Sequence, residues 1–123
     1  MKNDTSKIHY MNLHPAPFLL IQSGIKTIEL RLFDEKRKLI TTGDLIVFSN
    51  LRNPDSTITA EVKGLYVFSS FEELYASLPL DRCGYSPDEV KTASPKDMEH
   101  YYSTEEQKLH GVVGIEINVV SQT

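Results

Sequence analysis

The chain lacks a second cysteine. Of its 123 residues only Cys83 carries a thiol, so no intrachain disulfide can form, and a lone thiol fits a reducing, cytoplasmic setting. Long apolar runs are missing as well. No stretch approaches the roughly 18 apolar residues that a membrane-spanning helix needs, so no membrane partner is expected. Met1 to Lys7 is polar, contains no apolar segment of the kind a signal peptide requires, and is expected to fray. A basic excess is also absent. The net charge of −4 denies the chain the broad positive field of a non-specific duplex binder. His9, His14, His100 and His110 show no recurrent metal-ligand spacing, and neither a phosphate loop nor a dinucleotide fingerprint occurs. Neither a metal nor a cofactor is expected.

What is present describes an ordinary globular chain. Hydrophobic residues make up 40 % and charged residues 24 %, and the length suits one domain over residues 1–123. Charge is uneven along it. Lys26, Arg31, Lys36, Arg37 and Lys38 are five of the 13 basic residues, whereas acids dominate from Glu72 to Glu106.

Local signals divide the chain into short elements. Ile8 to Leu13 has too few periods to decide between an edge strand and a lead-in. Pro15 and Pro17 suit a first helical turn, and Gly24 suits the left-handed position beyond a helix end, which predicts a helix over 16–23. Alternation predicts strands over 25–32, 45–49 and 56–68, with Gly64 marking a bulge in the last. Phe71, Leu74, Tyr75 and Leu78 fall at helical spacing behind a serine cap. Ser86-Pro87, Ser94-Pro95 and Ser103-Thr104 each precede acids and read as three further helix starts. Gly111 releases a final strand over 112–120. Strands that do not alternate with helices argue against a doubly wound sheet. The expected fold is α+β: a small, mostly antiparallel, curled sheet with short helices packed on one side.

The densest chemistry lies in Gly24-Ile-Lys-Thr-Ile-Glu-Leu-Arg31. Residues two apart on a strand share a face, so Thr27, Glu29 and Arg31 project together, with Lys26 at the strand entry. Such a cluster needs either water or a polar ligand. A solvated strand face with ordinary ion pairs satisfies the pattern, and so does a binding site. For a stacking face the aromatic candidates are Phe48, Tyr66 and Tyr85, each equally suited to a core. Cys83 is a weak candidate nucleophile with no histidine beside it in sequence.

The Gly24–Arg31 segment, followed by Gly43-Asp44 before an apolar strand, resembles the ASCH domain. The stretch from Tyr101 to Ile117 looks like the terminal helix and strand of bacterial stand-alone ASCH proteins. The resemblance runs from about Leu13 to Ile117. It implies a PUA-like β-barrel with a cleft lined by the charged strand, and an RNA or nucleotide-like ligand. Some relatives resemble hydrolases that deacetylate acetylcytidine. Lys26 and Thr27 match their lysine and first threonine. Glu29 stands where they have a second threonine, and Leu80 to Gly84, where a distal glutamate is expected, offers Asp81 instead.

Three functions follow as expectations. The first is binding of RNA or a modified nucleoside through Lys26, Thr27, Glu29 and Arg31. The second is amidohydrolysis, with Lys26 and Glu29 as catalytic residues and Arg31 as anchor. The third is interaction with a protein partner through the acidic segment Asp88 to Glu106.

Overall fold

The computed structural model describes residues 6–123. Among these residues five strands form a single sheet: β1 (Ile8–Leu13), β2 (Ile28–Leu32), β3 (Leu45–Asn50), β4 (Thr57–Phe68) and β5 (Val112–Gln122), in the order β1-β3-β4-β5-β2. All neighbours are antiparallel except β1 and β3, which pair in parallel from Ile8 opposite Leu45 to Leu13 opposite Asn50. The register of β4 against β5 slips between Val62 and Gly64, as the glycine suggested. The sheet curls into a half-barrel whose free margins are β1 and β2. The expected α+β, mostly antiparallel fold is the one observed, with β1 settling as an edge strand.

Among the described residues four α-helices flank the sheet: α1 (Pro15–Gln22), α2 (Phe71–Ser77), α3 (Pro87–Val90) and α4 (Thr104–His110). Short 3₁₀ turns cover Arg37–Leu39, Leu80–Arg82 and Pro95–His100. Local chemistry sets their starts. Ser70 caps α2 through the Glu73 N–H. Ser86, Ser94 and Ser103 each form a full capping box, with Glu89, Asp97 and Glu106 returning a bond to the serine N–H. Three acids of the Asp88–Glu106 segment therefore hold helix starts.

Two apolar clusters fix the layers. Inside the half-barrel, Met11, Leu13, Phe18, Ile21, Ile46, Phe48, Ile58, Val62, Val113 and Ile115 pack beneath α1. Outside it, Ile28, Leu30, Leu32 and Val112 pack against Phe71 and Leu74 of α2, with Cys83 and Met98. The strand β2 packs Ile28, Leu30 and Leu32 into the outer cluster.

A buried aspartate ties β1 to β3. Asp44 accepts from the Lys7 N–H at 3.0 Å, the Thr41 N–H at 3.0 Å and His9 Nε2 at 2.8 Å. Burial alone would raise its pKa, but these bonds outweigh burial and bring it down to about 2. Of the segment expected to fray, residues 1–5 lie outside the described residues, while Lys7 is held by Asp44 and by Leu45. Among the described residues no helix is long and apolar enough to cross a membrane.

Candidate ligand-binding cleft

Antiparallel pairing decides which way the charged face of β2 points. Residues directly opposite one another share a face. Glu29 lies opposite Ile115 and Arg31 opposite Val113, and both partners belong to the inner cluster. The charged side chains of β2 thus turn toward the concave side, while Ile28, Leu30 and Leu32 lie under α2. The alternation in the sequence is real, but its polar face is the inward one.

Lys26 reaches the same place from outside the strand. The expected strand over 25–32 is shorter, beginning at Ile28, because the preceding residues bond elsewhere. Gly24 takes φ +80° after α1, and the Ile25 and Lys26 N–H groups both donate to Leu20 O. That turn aims Lys26 back over β2. Its Nζ meets Glu29 Oε1 at 2.8 Å, and Arg31 Nε meets Glu29 Oε2 at 2.7 Å. Glu29 is 4 % exposed. One carboxylate therefore sits between two cations, each of its oxygens occupied.

The electrostatics follow from that arrangement. Burial pushes the Glu29 carboxyl up, but Lys26 and Arg31 together overcome burial and hold it below the ordinary carboxylate range. Burial likewise opposes the Arg31 charge, and the groups around it, Glu29 foremost, more than restore it. Arg31 Nη2 also donates to Asn12 O at 2.8 Å, joining β2 to β1 across the open side of the half-barrel.

These side chains form the floor of a cleft of about 710 Å³, within the range of small-molecule sites. Asn12, His14 and Leu20 come from the β1–α1 side, and Tyr75 from α2. Cys83, Gly84, Tyr85, Asp97, Tyr101 and Tyr102 come from the segment between α2 and α4. Gly84 takes φ +109° beside the Lys26 methylenes, where an added Cβ would come within 3.4 Å of Lys26 Cδ.

The other residues singled out in the sequence fall in different places. Thr27 does not line the cleft; its hydroxyl accepts from Arg82 Nε at 2.8 Å, and Arg82 Nη2 donates to Glu116 at 2.9 Å. Phe48 is fully buried in the inner core. Tyr66 is exposed and donates to Glu116. Tyr85 lines the cleft. Cys83 also lines it, but its thiol is buried, donates to Pro79 O, and has its pKa raised to about 11 by burial. A thiol so rarely ionised is a poor nucleophile. Asp81 is not among the lining residues. Sequence reasoning missed Asn12, Tyr75, Tyr101 and Tyr102, which reach the cleft only through long-range packing.

A family model for the ASCH domain matches residues 11–121. Hypothetical protein PH0355, known from a crystal structure, is similar at 33 % identity over 93 % of this chain and 99 % of its own, with a TM-score of 0.78. Protein PF0455 from Pyrococcus furiosus, a solution NMR structure, is similar at 31 % identity over 93 % of this chain and 98 % of its own, with a TM-score of 0.67. A mutant of ZmASCH from Zymomonas mobilis is 15 % identical over 94 % of this chain and 72 % of its own, and its TM-score of 0.64 speaks for the fold alone. Among curated proteins no match is found. Nearly the whole chain falls within the family match, and its half-barrel is shared with structures of that family: the protein belongs to the ASCH domain family.

Proposed function

We propose that the cleft binds RNA or a modified nucleoside, with Lys26 and Arg31 donating hydrogen bonds to the base and the tyrosines of the wall offering apolar faces to it. The observation that carries this reading is the buried Lys26–Glu29–Arg31 triplet, which faces an open cleft walled by Tyr75, Tyr85, Tyr101 and Tyr102. Aromatic walls with a few fixed polar groups suit single nucleobases. Counting only Lys, Arg, Asp and Glu, the lining holds two cations against the carboxylates of Glu29, Glu89 and Asp97. Such a balance favours contact with bases over contact with phosphates. Thr27 serves indirectly, by bonding the turn that carries Cys83 and Gly84.

Binding is favoured over deacetylation by the state of Glu29. A general base needs a pKa near the working pH. Glu29, held between two cations, has its pKa lowered below the ordinary carboxylate range.

Calorimetric titration of wild type and Lys26→Ala with ribonucleosides and short single-stranded RNA tests the reading. Saturable binding that weakens about tenfold or more in the variant is expected. Absence of binding to every member of the set would overturn it. Turnover of acetylcytidine by wild type, lost in Lys26→Ala, would convert the site into that of a hydrolase.

A further inference from the structure

Three side chains of the cleft wall form a hydrogen-bonded chain with a defined direction. Tyr75 lies in α2, Tyr85 follows the Leu80–Arg82 turn, and Asp97 lies in the Pro95–His100 turn. The hydroxyl oxygens of Tyr75 and Tyr85 are 2.6 Å apart, and the Tyr85 oxygen is 2.7 Å from Asp97 Oδ2. A phenol carries one hydrogen and a carboxylate carries none. Asp97 Oδ2 also accepts the Ser94 N–H at 3.1 Å. The Tyr85 hydrogen must therefore go to Asp97, and the hydrogen between the two phenols must come from Tyr75. Nothing is left on Tyr75 to donate. Toward any further partner its oxygen can only accept.

Packing keeps this arrangement in place. Phe71, buried at the start of α2, meets the Tyr75 ring edge-on at 6.4 Å and 85°, and Tyr85 meets it edge-on at 5.9 Å and 76°. Burial raises the pKa of both phenols, so both keep their hydrogens at neutral pH. The floor carries the donors of Lys26 and Arg31 on either side of the Glu29 carboxylate. The cleft thus sets these donors beside Tyr75, a wall residue whose hydroxyl can only accept.

We propose that Tyr75 is a specificity-determining residue, selecting ligands that place an amino N–H against the wall while a carbonyl or ring nitrogen meets the floor cations. Tyr85 and Asp97 are positioning residues that lock the acceptor. The favoured ligand class is an amino-bearing heterocycle of the cytosine or adenine type. This inference rests on the cleft being a nucleobase site.

The test compares ligands that differ only in the amino group: cytidine with pyrimidin-2-one riboside, and adenosine with purine riboside. Wild type is expected to favour an amino-bearing member by about fivefold to tenfold, the worth of one neutral hydrogen bond. Tyr85→Phe keeps the ring but frees the Tyr75 hydrogen. It should weaken binding of the amino-bearing member and bring the pair toward parity, since the analogue sets only a C–H against the freed hydroxyl. Tyr75→Phe should also abolish the preference, without improving the analogue. Thermal melting beside each titration reports folding, and a purely structural role would weaken both members of a pair alike. Equal affinities in wild type, or an unchanged ratio in Tyr85→Phe, would overturn the role of Tyr75 and leave the nucleobase site standing. Failure of all four ligands to bind would remove both.

Discussion

Arg31 Nε lies 2.7 Å from Glu29 Oε2, two residues along the same face of one strand. On an exposed sheet that contact would be worth little. Here Glu29 is buried on the concave side of the strand, with Lys26 on its second carboxylate oxygen. Removing one member leaves the others charged and poorly solvated, and this sets the first prediction.

Glu29→Ala should destabilise the fold by about 3–5 kcal/mol, since it strands two cations in a water-poor site. Glu29→Gln keeps the shape and one acceptor and should cost less. Urea denaturation measures both. A loss below about 1 kcal/mol for the alanine variant would mean that water already solvates the cations.

Acid should weaken the protein through Glu29 and Asp44. Both have folded-state pKa values below their unfolded ones, that of Asp44 at about 2. Such groups bind fewer protons folded than unfolded. Their stabilisation is complete above the unfolded values, about 4, and is lost as pH falls through the folded ones. The urea midpoint should decline from about pH 4 toward pH 2. In Asp44→Asn the protein should be weaker at neutral pH, with a flatter decline. An unchanged slope in that variant would remove Asp44 as a source of acid sensitivity.

Gly84→Ala should perturb both backbone and cleft. At φ +109° a side chain is strained, at a cost of about 1–2 kcal/mol. The new Cβ would also press on the Lys26 methylenes. Severalfold weaker nucleoside binding, together with a lower melting temperature, is expected. Unaltered affinity would show that the Lys26 chain is free to shift.

Cys83 should resist alkylation. Raising a thiol from its ordinary value to about 11 cuts the thiolate fraction by about 100-fold. Iodoacetamide labelling followed by mass spectrometry should be negligible in the folded protein and rapid in denaturant. Fast native labelling would show that the turn around Pro79 opens readily.

Much of the fold was legible because its signals are local. A serine at 69 or 70, together with Ser86, Ser94 and Ser103, announced the helix starts through chemistry confined to four residues each, and Ser70 is the one that caps α2. Gly64 announced the slip in β4 for a similar reason. The charged cluster was equally plain, but its direction was not. Alternation in Ile28–Leu32 marks two faces without saying which is inward. Here α2 covers the apolar one, and no local pattern in β2 encodes a helix forty residues later. Lys26 looked like part of the strand because its bond to Leu20 O depends on α1 being in place. Tyr75 looked like one more apolar position of an amphipathic helix. Its second role appears only when Tyr85 and Asp97 are brought beside it. The parallel pairing of β1 with β3 was likewise beyond reach, being a contact between segments separated by a helix and a strand.

The bond from Arg31 to Asn12 O has a mechanical consequence. It is a side-chain stitch between two margins that no backbone ladder joins. A guest that competes for the guanidinium would loosen that stitch, so admission of the guest and a slight parting of the two margins would be one coupled motion.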